Sequence, residues 1–574
     1  MEKLRRASAG IMAITFGASL AGWTAVVDLP DPGHTLTRLQ PADAFAPQIS
    51  GMALLDRDHM LVSTYAKNMG GYPDTNGALY LVAGLRRADK IVTYRKVAKG
   101  LKDVMGLAIV DGQVYACDRD RVFSFVDADK DGVYETTRTL APFPHYDGWY
   151  EYTFGPVYRD GKFYIGLAAE VQHGGLPLRQ RGEGRSTLME VGLDGKTKVV
   201  ASGFRAPNGI GLGPKGSLLM TDNQGGWTPA SKLNVVMPGK FYGYMLDPPS
   251  VFQTQPVTPP AAWIPYGEVA ESPTEPLMLK SGTFAGQVVF GDIRRNFLLR
   301  AFLEEVNGNF QACVMGFSGG YLGSVNRLAM DTVDGTLYAG LLSYERTHTY
   351  SLQALKPNGA QKFEMLAVRS RQEGMEVEFT MPADAASIKP SDVLIRSWGY
   401  IATADYGGPK QNLVTLPAKS LRWSPDSRRL LVSIDGLVAG KVVQITLNAI
   451  KTPAGDTLFN RDAWYTLNAI SPTSGFSTAL APPGIGGGDS PAREGGADFG
   501  IARAAGGGWR LHRQGRGAYR LSILDLGGRL LRAERGEGDI ELRWNSPGPG
   551  VYLLRWEQDG RVGRIMLPAG LAGL

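Results

Sequence analysis

Short segments of alternating apolar and polar residues, each broken by a glycine turn, recur along the first part of the chain. One unit reads GLAIVDGQVYACD at 106–118, where apolar residues alternate on both sides of an Asp-Gly turn. Alternation with a period of two predicts a β-strand, and two such strands around a glycine turn predict a β-hairpin. Comparable units occur at 51–64, 154–167, 208–223, 286–302 and 326–341.

The spacing of these hairpins predicts how they are arranged. The units follow one another at roughly fifty residues, which is the length of a propeller blade. One long insertion, near 224–285, interrupts the series. We therefore predict an all-β fold in which residues 45–357 form a six-bladed β-propeller.

The pattern changes after the propeller. Residues 360–470 contain longer alternating strands such as SLRWSPDSRRLLVSIDG, which predict one β-sandwich. Residues 471–507 are rich in glycine, proline and small residues, as in PPGIGGGDSP, and predict a flexible linker. Residues 508–574 return to a compact set of alternating strands, so we predict a small C-terminal β-domain.

Composition agrees with a turn-rich protein and excludes some functions. The chain has 574 residues, with 74 Gly and 35 Pro to supply turns, and a formal net charge of +6. Its basic residues are scattered along the chain, which argues against a nucleic-acid partner. Two cysteines cannot form a disulfide scaffold, and without a CxxCH motif no haem is attached covalently. Any redox chemistry here needs an external electron acceptor.

The N-terminus predicts export. Three basic residues within the first six precede an apolar stretch at 7–20, and Ser19 and Ala21 are small enough for a cleavage site. We expect a signal peptide at 1–21. The alternative is an uncleaved membrane anchor, because the apolar stretch extends to Val27.

Polar side chains gather in the stretch that begins GFRAPNG. Arg205 and Asn208 lie in a turn before one strand, and Asp222, Asn223 and Trp227 follow the next strand. A guanidinium pairs with carboxylates, and amides reach carbonyl or hydroxyl groups. An indole face stacks on the C–H face of a sugar. We predict Asp222, Asn223 and Trp227 as carbohydrate contacts.

This stretch and the following SKLNVVMPGKFYGY resemble the glucose/sorbosone dehydrogenase type of β-propeller, a quinoprotein family. The resemblance implies oxidation of an aldose with pyrroloquinoline quinone (PQQ) as cofactor. It implies Arg205 and Asn208 as cofactor ligands, and it adds Arg327 as a basic residue near the pocket. The alternative for the turn is purely structural, with a glycine and a strand-capping asparagine.

His145 begins the segment HYDGWYEYTFGP. The resemblance implies that this histidine is the general base that takes a proton from a sugar hydroxyl, a task suited to imidazole. Asp147 is then the residue that orients its ring, and Trp149 is an aromatic contact of the sugar. The alternative is a loop histidine whose aromatic neighbours only pack together.

Two other functions fit the same residues. The Asn208 turn followed by Asp222 and Asn223 also resembles the cation site of gluconolactonase-type six-bladed propellers, where a hard cation polarises a lactone carbonyl. This resemblance implies a calcium-dependent lactonase. The second alternative is a propeller without catalysis that binds carbohydrate at the cell surface.

An acidic loop predicts a calcium site. Asp127, Asp129 and Asp131 alternate before Gly132, and Glu135 stands at the ninth position of the loop. Oxygen ligands at alternating positions followed by a glycine turn are typical of calcium loops. We predict a structural Ca²⁺ here, with a solvated acidic turn as the alternative.

The C-terminal strands suggest a route of export. The order YRLSILDLGGRLLR, then GVYLLRWEQDGRVGRIMLP, resembles the C-terminal sorting domain of the type IX secretion system. The resemblance implies passage through that machinery to the medium or the outer cell surface. A small adhesive β-domain is the alternative.

Overall fold

The computed structural model describes most of the chain, and what it describes is all-β. The described residues are 29–43, 45, 47–65, 77–146, 150–171, 184–342, 351–477, 498–503, 509–514, 518–525, 530–537, 540–544, 550–558 and 561–569. Their only helical elements are short 3-10 turns at Pro214–Gly216, Ala385–Ser387 and Pro390–Asp392. None of the described helical segments has the length and apolar character needed to cross a bilayer. The predicted signal peptide lies outside the described residues.

The chain divides into two compact units, Met1–Gly484 and Ile485–Leu574. The first unit contains a six-bladed β-propeller, as predicted from the hairpin repeats. Each blade is a four-stranded antiparallel sheet. The N-terminal strand is β1 (His34–Pro41). The strands of the first three blades are β2 (Ile49–Leu54), β3 (His59–Thr64), β4 (Gly77–Ala83), β5 (Ile91–Leu101), β6 (Leu107–Val110), β7 (Gln113–Cys117), β8 (Arg121–Val126), β9 (Thr136–Pro142), β10 (Thr153–Arg159), β11 (Lys162–Leu167), β12 (Thr187–Gly192) and β13 (Thr197–Ser202).

Blades 4 to 6 follow in the same order. Their strands are β14 (Ile210–Leu212), β15 (Leu218–Asp222), β16 (Ser231–Val236), β17 (Ala262–Ile264), β18 (Leu277–Met278), β19 (Val288–Phe290), β20 (Leu298–Val306), β21 (Asn309–Ser318), β22 (Ser324–Met330), β23 (Leu337–Leu342) and β24 (Leu352–Pro357). The predicted insertion occupies the long connections on either side of β17.

The propeller is closed by its N-terminal strand. β1 pairs antiparallel with β24, with Leu36 opposite Leu355, and so forms the outer strand of blade 6. Two further residues of β1 pair in parallel with β5 of blade 1, where Gln40 lies opposite Ile91. The structure thus begins the propeller at β1, whereas the sequence prediction begins it at residue 45. With one buried side chain in eight, β1 carries little apolar alternation.

Close packing around the axis depends on glycine. A Cβ atom added to Gly106, just before β6, would lie 2.3 Å from the carbonyl oxygen of Gly155 in β10. The inner strands of blades 2 and 3 therefore approach at a distance that no side chain permits. The starting ends of these two inner strands therefore lie close together.

A β-sandwich follows the propeller in the same unit. Its strands are β25 (Met365–Arg371), β26 (Gly374–Phe379), β27 (Val393–Gly399), β28 (Gln411–Leu416), β29 (Ala418–Trp423), β30 (Arg429–Ile434), β31 (Lys441–Leu447) and β32 (Asp462–Leu467). One sheet has the order β25-β26-β30-β29 and the other β32-β31-β27-β28. β32 also pairs with β21, where Tyr465 lies opposite Cys313. The second sheet of the sandwich therefore continues blade 5.

The second unit consists of two small antiparallel sheets. Its strands are β33 (Asp498–Arg503), β34 (Trp509–Gln514), β35 (Ala518–Asp525), β36 (Leu530–Glu537), β37 (Ile540–Trp544), β38 (Gly550–Gln558) and β39 (Arg561–Ala569). The sheet orders are β33-β34-β37 and β36-β35-β38-β39. The unit is thus a small β-fold, and its role in sorting stays a prediction.

Candidate active site on the propeller

A cavity of about 220 Å³ opens at one face of the propeller. Several of its lining residues either precede the inner strands, as Met105 does, or follow the second strands, as Asn223 does. Both positions lie at the same end of the blades. Six of the described lining residues are aromatic, namely Phe154, Tyr65, Tyr150, Tyr152, Tyr266 and Tyr406.

One side of the wall is polar. Arg205, Asn208, Asn223 and Gln224 come from blade 4 and line the cavity together. The structure thus brings together three residues predicted from the sequence, namely Arg205, Asn208 and Asn223. Amide and guanidinium donors beside aromatic rings can hold hydroxyl, carbonyl or carboxylate groups of a small ring-shaped ligand.

The Asp222 carboxylate supports the turn that carries Arg205. It is fully buried and accepts hydrogen bonds from the backbone N–H groups of Arg205 (3.1 Å) and Ala206 (2.8 Å). The Lys232 ammonium lies 3.5 Å away, and burial lowers the pKa of that lysine. Asp222 is not among the described residues that line the cavity. Its place in this structure is that of a support for the turn, not of a direct contact.

The Arg205 guanidinium is tightly enclosed. The residue is 3% exposed, and a Cβ added to Gly225 would lie 1.9 Å from its Nε atom. On another side the ring of Tyr406 lies with its centroid 5.3 Å from Cζ. The close approach of Gly225 and the ring of Tyr406 therefore fix the position of the guanidinium charge. We call Gly225 the glycine seat of Arg205.

Arg327 lies on the propeller axis next to the cavity. This buried side chain donates from Nη2 to the carbonyl of Met105 (2.9 Å) and from Nη1 to Oδ1 of Asn208 (3.2 Å). Nη1 also donates to the carbonyl of Asn326 (2.8 Å). Arg327 is not among the described residues that line the cavity. Its hydrogen bonds link blades 2, 4 and 6, and the bond to Oδ1 positions the amide of Asn208.

The carboxylate of Glu275 lies next to Arg327 on the propeller axis. Oε2 of Glu275 lies 3.7 Å from Nε of Arg327, and the Glu275 side chain is 29% exposed. Burial of the carboxyl raises the pKa of Glu275 to about 7, and the positive charge of Arg327 only partly offsets this. The group therefore titrates near neutral pH, which is unusual for a glutamate.

His145 pairs with a buried cluster of two charged residues, Glu151 and Arg185. Its Nδ1 lies 3.2 Å from Oε2 of Glu151, whose Oε1 lies 3.5 Å from Nε of Arg185. Burial lowers the pKa of Arg185 to about 10. His145 is 13% exposed and is not among the described lining residues. Its partner Glu151 stands in the sequence between Tyr150 and Tyr152, and both of these tyrosines line the cavity.

The other predicted contacts have different positions. Trp227 is partly buried and packs in a cluster with Val171, Tyr244 and Leu246, and it is not among the described residues of the cavity wall. Trp149, like Asp147, lies outside the described residues. The aromatic surface predicted from tryptophan is instead supplied by tyrosines in the part of the site that is described.

The predicted calcium loop connects β8 and β9. Oxygen atoms of Asp127, Asp129, Asp131 and Glu135 all lie within 4.8 Å of one another. Backbone N–H groups inside the loop donate to these carboxylates, as Gly132 does to Asp127 (3.0 Å). Gly132 has a φ of 80°, a conformation that favours glycine. The loop thus gathers four acids in one small volume.

Several residues of the cavity wall were not predicted from the sequence, among them Tyr266, Glu271 and Tyr406. Tyr266 and Glu271 lie in the long insertion between β17 and β18, and Tyr406 belongs to the sandwich. Glu271 is paired with Arg294 (3.2 Å) and Arg295 (3.1 Å). No motif marks these positions. The Gly-Gly pair after Tyr406 is the one local signal of a close approach.

Comparison with known proteins gives a likeness of fold. No protein-family model and no curated protein matches the chain. A solved glucose dehydrogenase-type oxidoreductase from Thermus thermophilus aligns at 17% identity over 56% of this chain and 100% of its own, with a TM-score of 0.41. The PQQ-bound aldose sugar dehydrogenase of Streptomyces coelicolor aligns at 18% identity over 57% of this chain and 99% of its own, with a TM-score of 0.42.

A third solved structure comes from the other predicted class. The gluconolactonase of Xanthomonas campestris aligns at 13% identity over 57% of this chain and 96% of its own, with a TM-score of 0.30. At such identities and TM-scores these likenesses carry no argument about activity.

Proposed function

We propose that the cavity is the active site of an exported, sugar-directed dehydrogenase of the quinoprotein kind. The observation that carries this proposal is the polar wall, where Arg205, Asn208 and Asn223 face a cavity lined by tyrosines. Ligand sites of this composition bury a ring against aromatic faces and orient it with a few polar groups.

The donors at this wall fit PQQ, which carries carboxylates and carbonyls on a flat ring system. Arg205 would pair with a carboxylate, and Asn208 would donate to a carbonyl oxygen. Arg294 is a second guanidinium on the cavity wall, and Arg327 supports the amide of Asn208. When bound, PQQ would supply the acceptor for a hydride from the sugar. An external electron acceptor would then reoxidise it.

The chain's own residues would orient the sugar and accept its proton. Asn223 would hold sugar hydroxyls, and the tyrosine rings would cover its C–H faces and exclude water. Trp149 and Trp227 remain proposed aromatic contacts. We propose His145 as the base, with the hydroxyl proton passing to its ring, because the carboxylate of Glu151 lies 3.2 Å from Nδ1 and orients the imidazole.

The test is to titrate the purified full chain with PQQ, following the quinone absorbance, and then to add a panel of aldoses. We expect saturable binding and reduction by sugar. Arg205→Met should weaken PQQ binding, whereas His145→Ala should keep it and slow reduction by roughly 10²- to 10⁴-fold. His59→Ala, an exposed histidine on β3, is the matched control. Failure of the wild type to bind PQQ would exclude the dehydrogenase.

The same sample separates the alternatives. A calcium-dependent lactonase would hydrolyse lactones without PQQ, and a binding protein would retain sugars without turnover. The lactonase needs Asp222 as a cation ligand, yet both of its oxygens accept backbone N–H groups of the arginine turn. This arrangement favours the dehydrogenase over the lactonase.

We also propose that the acidic loop of blade 2 binds Ca²⁺ as a structural ion. Its support is the four convergent acids, of which Asp127 has one oxygen, Oδ1, that is buried without a hydrogen-bond partner. A hard cation satisfies such an oxygen. The ion would tie β8 to β9, away from any catalytic step.

Export is proposed from the sequence. The basic and apolar N-terminus and the C-terminal strands β35 to β39 support secretion through the type IX machinery to the medium or the outer surface. Deleting residues 508–574 in the native host should retain the protein inside the cell, as detected by immunoblot of cell fractions. Release of the truncated chain would contradict the sorting role.

A further inference from the structure

The sandwich reaches the propeller cavity through one loop, residues 400–410 between β27 and β28. Tyr406 of this loop lines the cavity and covers the Arg205 guanidinium at 5.3 Å. The propeller therefore does not form the cavity alone. A second domain supplies part of its wall.

The loop is fixed on blade 4 by backbone hydrogen bonds. The N–H of Trp227 donates to the carbonyl of Thr403 (2.6 Å), and the N–H of Gly407 donates to the carbonyl of Gly225 (3.1 Å). The N–H of Gly408 donates to the carbonyl of Pro229 (2.9 Å). These bonds join the loop to the turn that contains Gly225, which packs against the Arg205 guanidinium.

Glycine at 407 and 408 is required for this contact. A Cβ on Gly407 would lie 2.6 Å from Nε2 of Gln224, and one on Gly408 would lie 2.9 Å from Cβ of Pro229. Gly407 also has a φ of 71°, which favours glycine. The two glycines thus allow the close approach that brings Tyr406 over the cavity.

The base of the loop is anchored as well. Lys410 pairs with Glu268, and its ammonium lies 3.8 Å from the centroid of the Trp398 ring. Glu268 also accepts a hydrogen bond from Nε1 of Trp464 (2.9 Å). Because the loop is held by contacts along its length and at its base, we treat Tyr406 as a fixed part of the cavity wall.

Two tyrosines at the cavity remain open to solvent. Tyr406 is 52% exposed and Tyr266 is 47% exposed, although both line the cavity. The phenol of Tyr406 is close enough to Tyr266 to contribute to its raised pKa, after burial and the charge of Glu271. Exposed aromatic faces beside a small cavity are suited to stack on a ring that lies outside it.

We propose that Tyr406 and Tyr266 form an outer subsite that stacks on a second sugar ring, so that the ligand is the end of an oligosaccharide and the sandwich determines its selection. This inference deepens the proposed function, since it rests on the cavity as a sugar site. The inner ring lies against Asn223 at the cavity, and the next ring of the glycan lies between the two tyrosines.

The experiment measures binding of glucose, cellobiose and maltose to the full chain by calorimetry, and separately their reduction of bound PQQ. We expect a disaccharide to bind more tightly than glucose. Tyr406→Ala should weaken disaccharide binding roughly three- to tenfold more than it weakens glucose binding, as expected for loss of one stacking contact to the outer ring. Tyr406→Phe should retain wild-type affinity. Ile401→Ala, at a 60% exposed position of the same loop, is the matched control.

The outcomes separate this inference from the dehydrogenase. Disaccharide binding that depends on Tyr406 without quinone reduction would keep the subsite and exclude the oxidation. Quinone reduction with Tyr406→Ala indistinguishable from wild type would keep the oxidation and overturn the subsite. A wild-type chain that binds none of the three sugars would overturn the subsite too.

Discussion

The acid on the propeller axis should make the stability of the protein depend on pH. Glu275 titrates at about 7 in the folded chain, against a usual value of 4.5. Between these values the folded state holds a proton that the unfolded state has lost. The free energy of unfolding should therefore fall as the pH rises from about 4.5 to about 7.

The size of this effect follows from the two pKa values. A tenfold difference in proton affinity corresponds to 1.36 kcal/mol, so the difference between 4.5 and about 7 amounts to roughly 3 kcal/mol. Because the Glu275 side chain is 29% exposed, solvent screening makes this value an upper limit. The Glu275→Gln variant keeps a neutral side chain of the same shape and does not titrate. The free energy of unfolding of the variant should therefore not show this pH-dependent decrease. The free energy of unfolding of the wild type minus that of the variant should decrease by up to about 3 kcal/mol between pH 4.5 and pH 8.

The assay is urea unfolding at a series of pH values, followed by tryptophan fluorescence and circular dichroism. The two probes test whether a single transition is being observed. Glu305→Gln, an exposed acid on β20, controls for the loss of one carboxylate. Parallel pH curves for wild type and Glu275→Gln would refute the reasoning, because they would mean that burial on the axis does not retain the proton.

Three further predictions concern the arginine turn, its glycine seat and the acidic loop. Asp222→Asn should lower the free energy of unfolding by roughly 3–5 kcal/mol, since it leaves the Lys232 ammonium buried without its counter-charge; unchanged urea midpoints would contradict this. Gly225→Ala should displace the Arg205 guanidinium and weaken PQQ binding at least about tenfold with little change in melting temperature, and equal affinity would show that the seat is not needed. Calcium at about one hundred times its dissociation constant should stabilise wild type by about 2.7 kcal/mol and Asp127→Asn much less, as measured by thermal unfolding with and without chelator.

The propeller could be predicted because its signal is local and repeated. A hairpin such as 106–118 shows its alternation and its turn within one short window, and six copies confirm one another. β1 lacks this signal, because its partner β24 lies more than three hundred residues away and most of its side chains are not buried. The closing strand was therefore not included in the predicted propeller.

The candidate site was predicted only in part. Arg205, Asn208 and Asn223 share one stretch of sequence, and folding of a single blade brings them to one wall. Asp222 belongs to the same stretch, but its side chain points to the backbone of the turn, which only the packing of β14 and β15 decides. For His145, the partner that the structure provides is Glu151.

The sequence by itself determined the all-β class, the blade repeat and the turn that carries the arginine, because strand alternation and glycine turns are properties of neighbouring residues. The tertiary structure alone decided that Tyr266 and Tyr406 meet at the cavity and that Arg327 reaches Asn208 across the axis. Those contacts join residues far apart in the chain. They depend on how blades and sandwich pack, and no local pattern records that packing.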